Sequence, residues 1–261
     1  MIMFKYYIPL IYTYKTRYNS ILRFLSFLFF TCLPSFYIVI INNEINTQLI
    51  ISYIVTFIVM YSLYECGYLF NDIVTINFEK NPTLRIEQKY IKISSKHLEN
   101  MLTVRLAIVV LGCFWLYQFT INIKEFCITL LLLFITYSLH NFYRDRTNIV
   151  TMFLLVFFKN FLLVIPFITI NKFLEAGIVI IITIAALRTY EFAAKDRFNL
   201  SISIKNIDLF RIKYYIMATM FIGIFTIVSC FDKRYIILII IFLIYRSCTY
   251  LILQFMNLRK N

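Results

Sequence analysis

Glu65, Asp72, Thr75 and Glu79 are separated by seven, three and four residues. On a continuous helix those intervals return to one face. Oxygen donors would then line one wall, which suits magnesium, an ion commonly bound through one or two carboxylates together with substrate phosphates. Lys80 and Arg85 follow and could engage the same phosphates. A helix end emerging into water, where acids and bases are solvated, would carry the same residues, and spacing alone does not separate the two readings.

A second group lies in Leu187-Arg188-Thr189-Tyr190-Glu191-Phe192-Ala193-Ala194-Lys195-Asp196-Arg197. Arg188, Glu191 and Lys195 share a helical face at spacings of three and four, with Asp196 turned about 140° away from Glu191. Glu191 and Lys195 also read as an ordinary intrahelical ion pair worth about 0.2–0.5 kcal/mol. Other chemistry is poorly supported. The six cysteines are scattered through apolar stretches without zinc-site spacing, and His97 and His140 stand too far apart to form a local metal or triad constellation.

The elements that must position these residues are membrane helices. Of 261 residues, 61% are hydrophobic and 15% charged, and mean hydropathy is +0.80, which describes a surface facing lipid. A bilayer core of roughly 30 Å needs about 20 apolar residues per helix. Eight stretches qualify: 24–41, 49–70, 106–123, 126–143, 149–170, 174–192, 214–231 and 235–256, the sixth shortened by Glu175 and Arg188. Of 26 Lys and Arg, twenty fall at the termini and in the even-numbered connections, counting Arg188 near the end of the sixth stretch with the connection that follows it. Basic residues gather in cytoplasmic loops, so both termini and both acidic segments are expected on the cytoplasmic side. An odd number of spans would scramble that segregation. Lys159 and Arg246 lie inside spans, where a charge costs several kcal/mol unless it faces a polar interior; both are expected to point inward, with Glu65 or another acid as a candidate structural partner. Pro34 and Pro166 are expected to kink their helices, and Gly67 to allow close helix approach. In a chain this apolar the net charge of +13 does not indicate nucleic acid. Residues 1–23 read as a cytoplasmic or interfacial segment rather than a signal peptide, and 24–261 as a single transmembrane domain.

With these motifs the sequence resembles the UbiA-type intramembrane prenyltransferase superfamily along essentially its whole length. Asn71-Asp72 matches the start of the family's first acidic signature, Glu79 its last acid and Arg85, after Asn81 and Pro82, its downstream arginine. Thr75 stands in place of the middle acid. The segment around Glu191 is similar to the second signature, with Lys195 where another acid is expected, and Tyr137-Ser138 is similar to a Tyr-Ser pair of the family. The resemblance implies an all-α polytopic bundle of about eight transmembrane helices in a bacterial inner membrane. It implies transfer of an isoprenoid group from a polyprenyl diphosphate to an acceptor, with Asp72, Glu79 and Glu191 as catalytic acids. Mg²⁺ would be held by Asn71, Asp72, Glu79, Glu191 and Asp196. Lys80, Arg85, Lys159, Arg188, Lys195 and Arg197 would grip the diphosphate, and Tyr64, Tyr68, Tyr137 and Tyr190 would wall the cavity. Thr75 and Lys195 together remove two expected carboxylates, which leaves a single ion, basic side chains acting in place of a metal, or lost catalysis. Two further readings stay open: a non-catalytic lipid-binding membrane partner, and a variant that transfers phosphoribosyl to polyprenyl phosphate. A secondary transporter would show broken helices near mid-membrane and symmetry between halves, and neither is evident in the sequence.

Overall fold

The computed structural model describes residues 6–78, 85, 88–143, 145–228 and 231–255. Among these there is no strand, and eight helices are long and apolar enough to cross a membrane. They are α1 (Ile21–Asn42), α2 (Thr47–Ile73), α3 (Gln88–Tyr117, apolar from Ser95), α4 (Ile123–Phe142), α5 (Thr147–Phe161), α6 (Ile170–Ala193), α7 (Ile207–Ile227) and α8 (Arg234–Phe255). The chain is a helical integral membrane protein, as eight apolar stretches require: in hydrocarbon every backbone polar group must be satisfied within the protein, and helices do so locally. Polar side chains close the helix ends. Asn46 accepts from the Leu49 amide at 2.8 Å, Asn206 from the Asp208 and Leu209 amides at 3.1 Å, and Asp145 from the Thr147 amide at 2.9 Å. The two asparagines are N-terminal caps, and Asp145 closes the turn just before α5.

The third span begins earlier than the sequence suggests. Arg105, read there as a loop residue, lies inside α3 and is wholly buried.

The chain forms two compact units, one within Met1–Arg144 and Phe158–Thr169, the other within Asp145–Phe157 and Ile170–Asn261. In the first unit the segment before α1 is folded into the helices. A short helical stretch (Ile11–Thr13) runs into a π-helical turn (Tyr14–Tyr18), closed by Asn19 in the left-handed region at φ 45°. Tyr12 and Thr13 are buried.

The end of α5 shows how Pro166 is tolerated. Regular helix stops at Phe161, and Ile165–Phe167 forms a 3-10 turn. The carbonyls freed there are recaptured: Asn122 Nδ2 donates to Ile165 O and Ile168 O, Asn43 Nδ2 to Phe167 O at 2.9 Å, and the Ile121 amide to Pro166 O at 3.2 Å. The break in the ladder thus leaves these acceptors satisfied, as the low-dielectric surroundings demand. In the second unit α6 contains a π-helical turn (Ile181–Ala185). Tyr214 and Tyr215 of α7 donate their hydroxyls to the Ile182 and Thr183 carbonyls of that turn, and Tyr215 stacks on Phe242 of α8 at 5.5 Å.

Candidate functional site

The last two turns of α2 carry two buried acids on the face that meets the N-terminal segment. Glu65 is fully buried against fully buried Arg105, whose Nη2 and Nε donate to Glu65 Oε2 at 3.0 and 3.3 Å. The other oxygen, Oε1, accepts from the Leu10 amide at 3.0 Å, the Thr13 amide at 2.9 Å and the Thr13 hydroxyl at 2.6 Å. Arg105 also donates to Tyr6 O at 2.9 Å and Met101 O at 3.2 Å. Leu10 holds a left-handed φ of 69°, a costly backbone for a side chain of its size, and its amide hydrogen-bonds Glu65 in that conformation. Glu65 and Arg105 together pin the N-terminal segment to α2 and α3.

About two turns further along, Asp72 meets the same segment. Arg17 Nη2 donates to Asp72 Oδ1 at 3.0 Å, and Arg17 Nη1 lies 2.9 Å from Oδ2. The Tyr12 hydroxyl donates to Oδ2 at 2.7 Å. Arg85 Nη1 approaches Oδ1 at 3.5 Å from a half-exposed position. Burial opposes charge on Arg17, but the Asp72 carboxylate outweighs it and holds the guanidinium above its ordinary pKa. Burial, reinforced by Asp72, pushes the Tyr12 hydroxyl well up, so Tyr12 stays a donor. Asn71 links this group to the next feature: its Nδ2 reaches Asp72 Oδ1 at 3.4 Å and its Oδ1 accepts from the Thr75 hydroxyl at 3.0 Å.

Thr75 lines a cavity of about 900 Å³ walled by Tyr64, Gly67, Phe70, Leu106, Phe134 and Tyr137. Its surface is apolar except near Thr75, Ser138 and Asn141. Gly67 is what admits the Tyr137 ring, since a β-carbon there would overlap it, so the close approach expected of this glycine is present. Tyr64 packs against Tyr137 at 4.9 Å and Tyr68 against Tyr137 at 6.0 Å. Tyr68 in turn lies beneath the Arg17 guanidinium at 4.1 Å, so a chain of aromatic rings joins the cationic cluster to the cavity wall. Lys159 Nζ lies over the Tyr64 ring at 5.3 Å and the Phe27 ring at 5.8 Å; Glu65 is taken by Arg105. Of the residues singled out in the sequence, Tyr64, Tyr68, Asn71, Asp72, Arg85, Tyr137 and Lys159 thus come together in the first unit. Glu79 and Lys80 lie outside the described residues.

The second acidic segment belongs to the other unit. Glu191 is held by Arg211 from α7 (Nη2 to Oε2, 3.1 Å) and by Arg188 one turn earlier (3.2 Å). Arg246 is buried, as expected for a charge inside a span, and within electrostatic reach of Arg188, Arg211 and Glu191. Regular helix ends at Ala193, so the helical face expected to carry Lys195 does not extend that far. Lys195 and Arg197 instead cover the Phe192 ring, both at 4.7 Å, from exposed positions. Asp196 is exposed at the start of a 3-10 turn, and Tyr190 stacks on Phe210 at 4.9 Å.

The donor set is compensated by arginine rather than arranged for a metal. Both oxygens of Asp72 accept hydrogen bonds from Arg17 or Tyr12, and both oxygens of Glu191 face guanidinium groups. Among the described residues no three His, Cys, Asp or Glu side chains are grouped to share an ion. As placed, the oxygens of Asp72 and Glu191 are engaged by arginine or tyrosine groups and not turned to a common ion within their own units, while Glu79 lies outside the described residues.

The sequence reading missed Tyr12, Thr13, Arg17 and Arg105. Arg17 and Arg105 were visible as bases flanking spans, but nothing in their spacing pairs them with acids 55 and 40 positions away. Comparison of the chain with protein-family models, characterised proteins and solved structures returns no match.

Proposed function

We propose that this chain is a UbiA-type prenyltransferase-like enzyme, which binds a polyprenyl diphosphate and transfers its isoprenoid group to an acceptor from the cytoplasmic leaflet. The observation that carries the reading is the 900 Å³ aromatic cavity running beside the Asn71-Asp72 end of α2. Its size lies near the upper end of the roughly 300–1,000 Å³ typical of small-molecule sites, and its wall suits a hydrocarbon tail.

The chemistry asked of the protein is charge handling. As the allylic C–O bond breaks, negative charge collects on the departing diphosphate, and fixed cations aimed at that charge lower the barrier. Arg17 and Arg85 stand at the polar end of the system, with Asp72 and Tyr12 orienting Arg17. Positive charge develops on the isoprenoid carbon, and the faces of Tyr64, Tyr68 and Tyr137 offer it electron-rich surface.

Purified protein supplied with radiolabelled polyprenyl diphosphates and a panel of acceptors should release pyrophosphate, and Asp72→Ala should abolish release by freeing Arg17 from its orientation. A non-catalytic lipid-binding partner is the second reading, favoured by the neutralisation of both acidic segments by arginines. Retention of the prenyl diphosphate without release, across the donor and acceptor panels, would decide for the binder.

A further inference from the structure

We infer that Arg17, delivered by the N-terminal segment, is an anion-binding residue that, with Arg85, takes phosphate oxygens directly, so that this site binds a diphosphate without a divalent metal. The inference rests on the proposed function for the identity of the ligand, but its argument is local. Two guanidinium groups share the Asp72 carboxylate, which leaves one positive charge in excess in the cluster among the described residues. The Arg17 side chain is 10% exposed. Its Nη1 is buried and, although ion-paired with Oδ2 at 2.9 Å, makes no hydrogen bond among the described residues; Oδ2 accepts from Tyr12. A buried donor without an acceptor costs about 1–3 kcal/mol. It persists here because Arg17 is held from three sides, by Asp72, by the Tyr68 ring and by a segment clamped through Glu65 and Arg105.

An anion resolves this arrangement. A phosphate oxygen at Nη1 would satisfy the orphan donor and balance the excess charge, while Nη2 keeps its bond to Asp72. Arg85, half exposed and 3.5 Å from Asp72, has freedom to turn onto the same group. Planar guanidinium forks suit phosphate oxygens. The aromatic path from Arg17 through Tyr68 to Tyr137 places hydrocarbon-lined space next to the headgroup, so a lipid diphosphate is favoured over the free anion. In this arrangement Asp72 is a positioning residue.

Binding of farnesyl diphosphate to the full chain in detergent, measured by titration calorimetry in EDTA and again with Mg²⁺, tests the inference. The expected result is comparable affinity in both, with Arg17→Gln weakening binding about tenfold, the worth of one charge-assisted bond. Arg17→Lys should recover only part of that affinity, because the fork is lost. Arg85→Gln, at a half-exposed position, provides a variant that disturbs the fold less and should weaken binding less. Thermal unfolding of each variant separates folding from binding. Affinity that vanishes in EDTA, or that is unchanged in folded Arg17→Gln, overturns the inference. Equal displacement of farnesyl diphosphate by phosphatidylglycerol micelles would overturn the diphosphate assignment in favour of a bilayer lipid headgroup. Metal-free, Arg17-dependent binding without any prenyl transfer sustains the inference and defeats the proposed enzyme. Transfer that requires Mg²⁺ and ignores Arg17 does the reverse.

Discussion

Arg105→Met should destabilise the protein by about 3–5 kcal/mol, because removing one partner of a buried ion pair leaves the other charge without compensation. Glu65 and Arg105 are both fully buried, so water cannot replace the lost partner. The loss should be largest in the N-terminal segment, whose Leu10 and Thr13 amides and Tyr6 carbonyl all hang on this pair. Two readouts follow in detergent: a lowered thermal midpoint, and proteolysis within residues 6–19 that the parent protein resists. Adding Glu65→Gln to Arg105→Met should recover part of the loss, since the orphaned carboxylate is replaced by a neutral acceptor. A double variant no more stable than Arg105→Met would contradict the electrostatic account of the clamp.

Gly67→Ala should be the second severe substitution despite its small size. The added methyl must displace the Tyr137 ring, which is buried and lines the cavity, and overpacking of this kind costs about 1–3 kcal/mol. Asn141 Nδ2 donates to the Gly67 carbonyl at 3.3 Å, so α4 cannot simply slide away. Trimming the obstructed ring in the Gly67→Ala, Tyr137→Leu double variant should recover stability without recovering ligand affinity, because the aromatic path to Arg17 is lost. Gly223 in α7 supplies the control: a β-carbon there meets nothing within 4 Å, and Gly223→Ala should be neutral or stabilising by up to about 1 kcal/mol through helix propensity. Equal effects at the two glycines would show that close approach at Gly67 is not what matters.

The spans were legible because twenty apolar residues in a row have few alternatives. Where the reading slipped, a charge was the reason. Arg105 was placed in a loop because a base ordinarily ends a span, and only its partner Glu65, 40 positions earlier, explains why α3 carries it inside. The segment before α1 read as an interfacial leader since its lysines, arginines and tyrosines break up its apolar residues. Those interruptions include Tyr12 and Arg17, the groups that hold Asp72. Glu65 and Asp72 do lie on one helix, but regular helix ends at Ile73 and Thr75–Phe78 is a 3-10 turn, so the continuous face expected to run on to Thr75 is not present; the close approach at Gly67 was legible locally. The helical face supposed to carry Lys195 failed for an equally local reason, the end of α6 at Ala193. The arginines that neutralise the acids were not legible as such, because Arg17 to Asp72 and Arg211 to Glu191 are tertiary pairings between separate elements.

The central claim, a prenyl diphosphate with its tail in the cavity of the first unit, is tested most directly by photo-crosslinking. Membranes containing the protein would be irradiated with a benzophenone-tailed analogue of farnesyl diphosphate and the labelled peptides mapped by mass spectrometry. The account predicts labels at Phe70, Leu106 and Phe134, abolished by excess unlabelled farnesyl diphosphate. Labels spread evenly over exposed faces such as Phe221 and Ile224 of α7, and unaffected by the competitor, would contradict it.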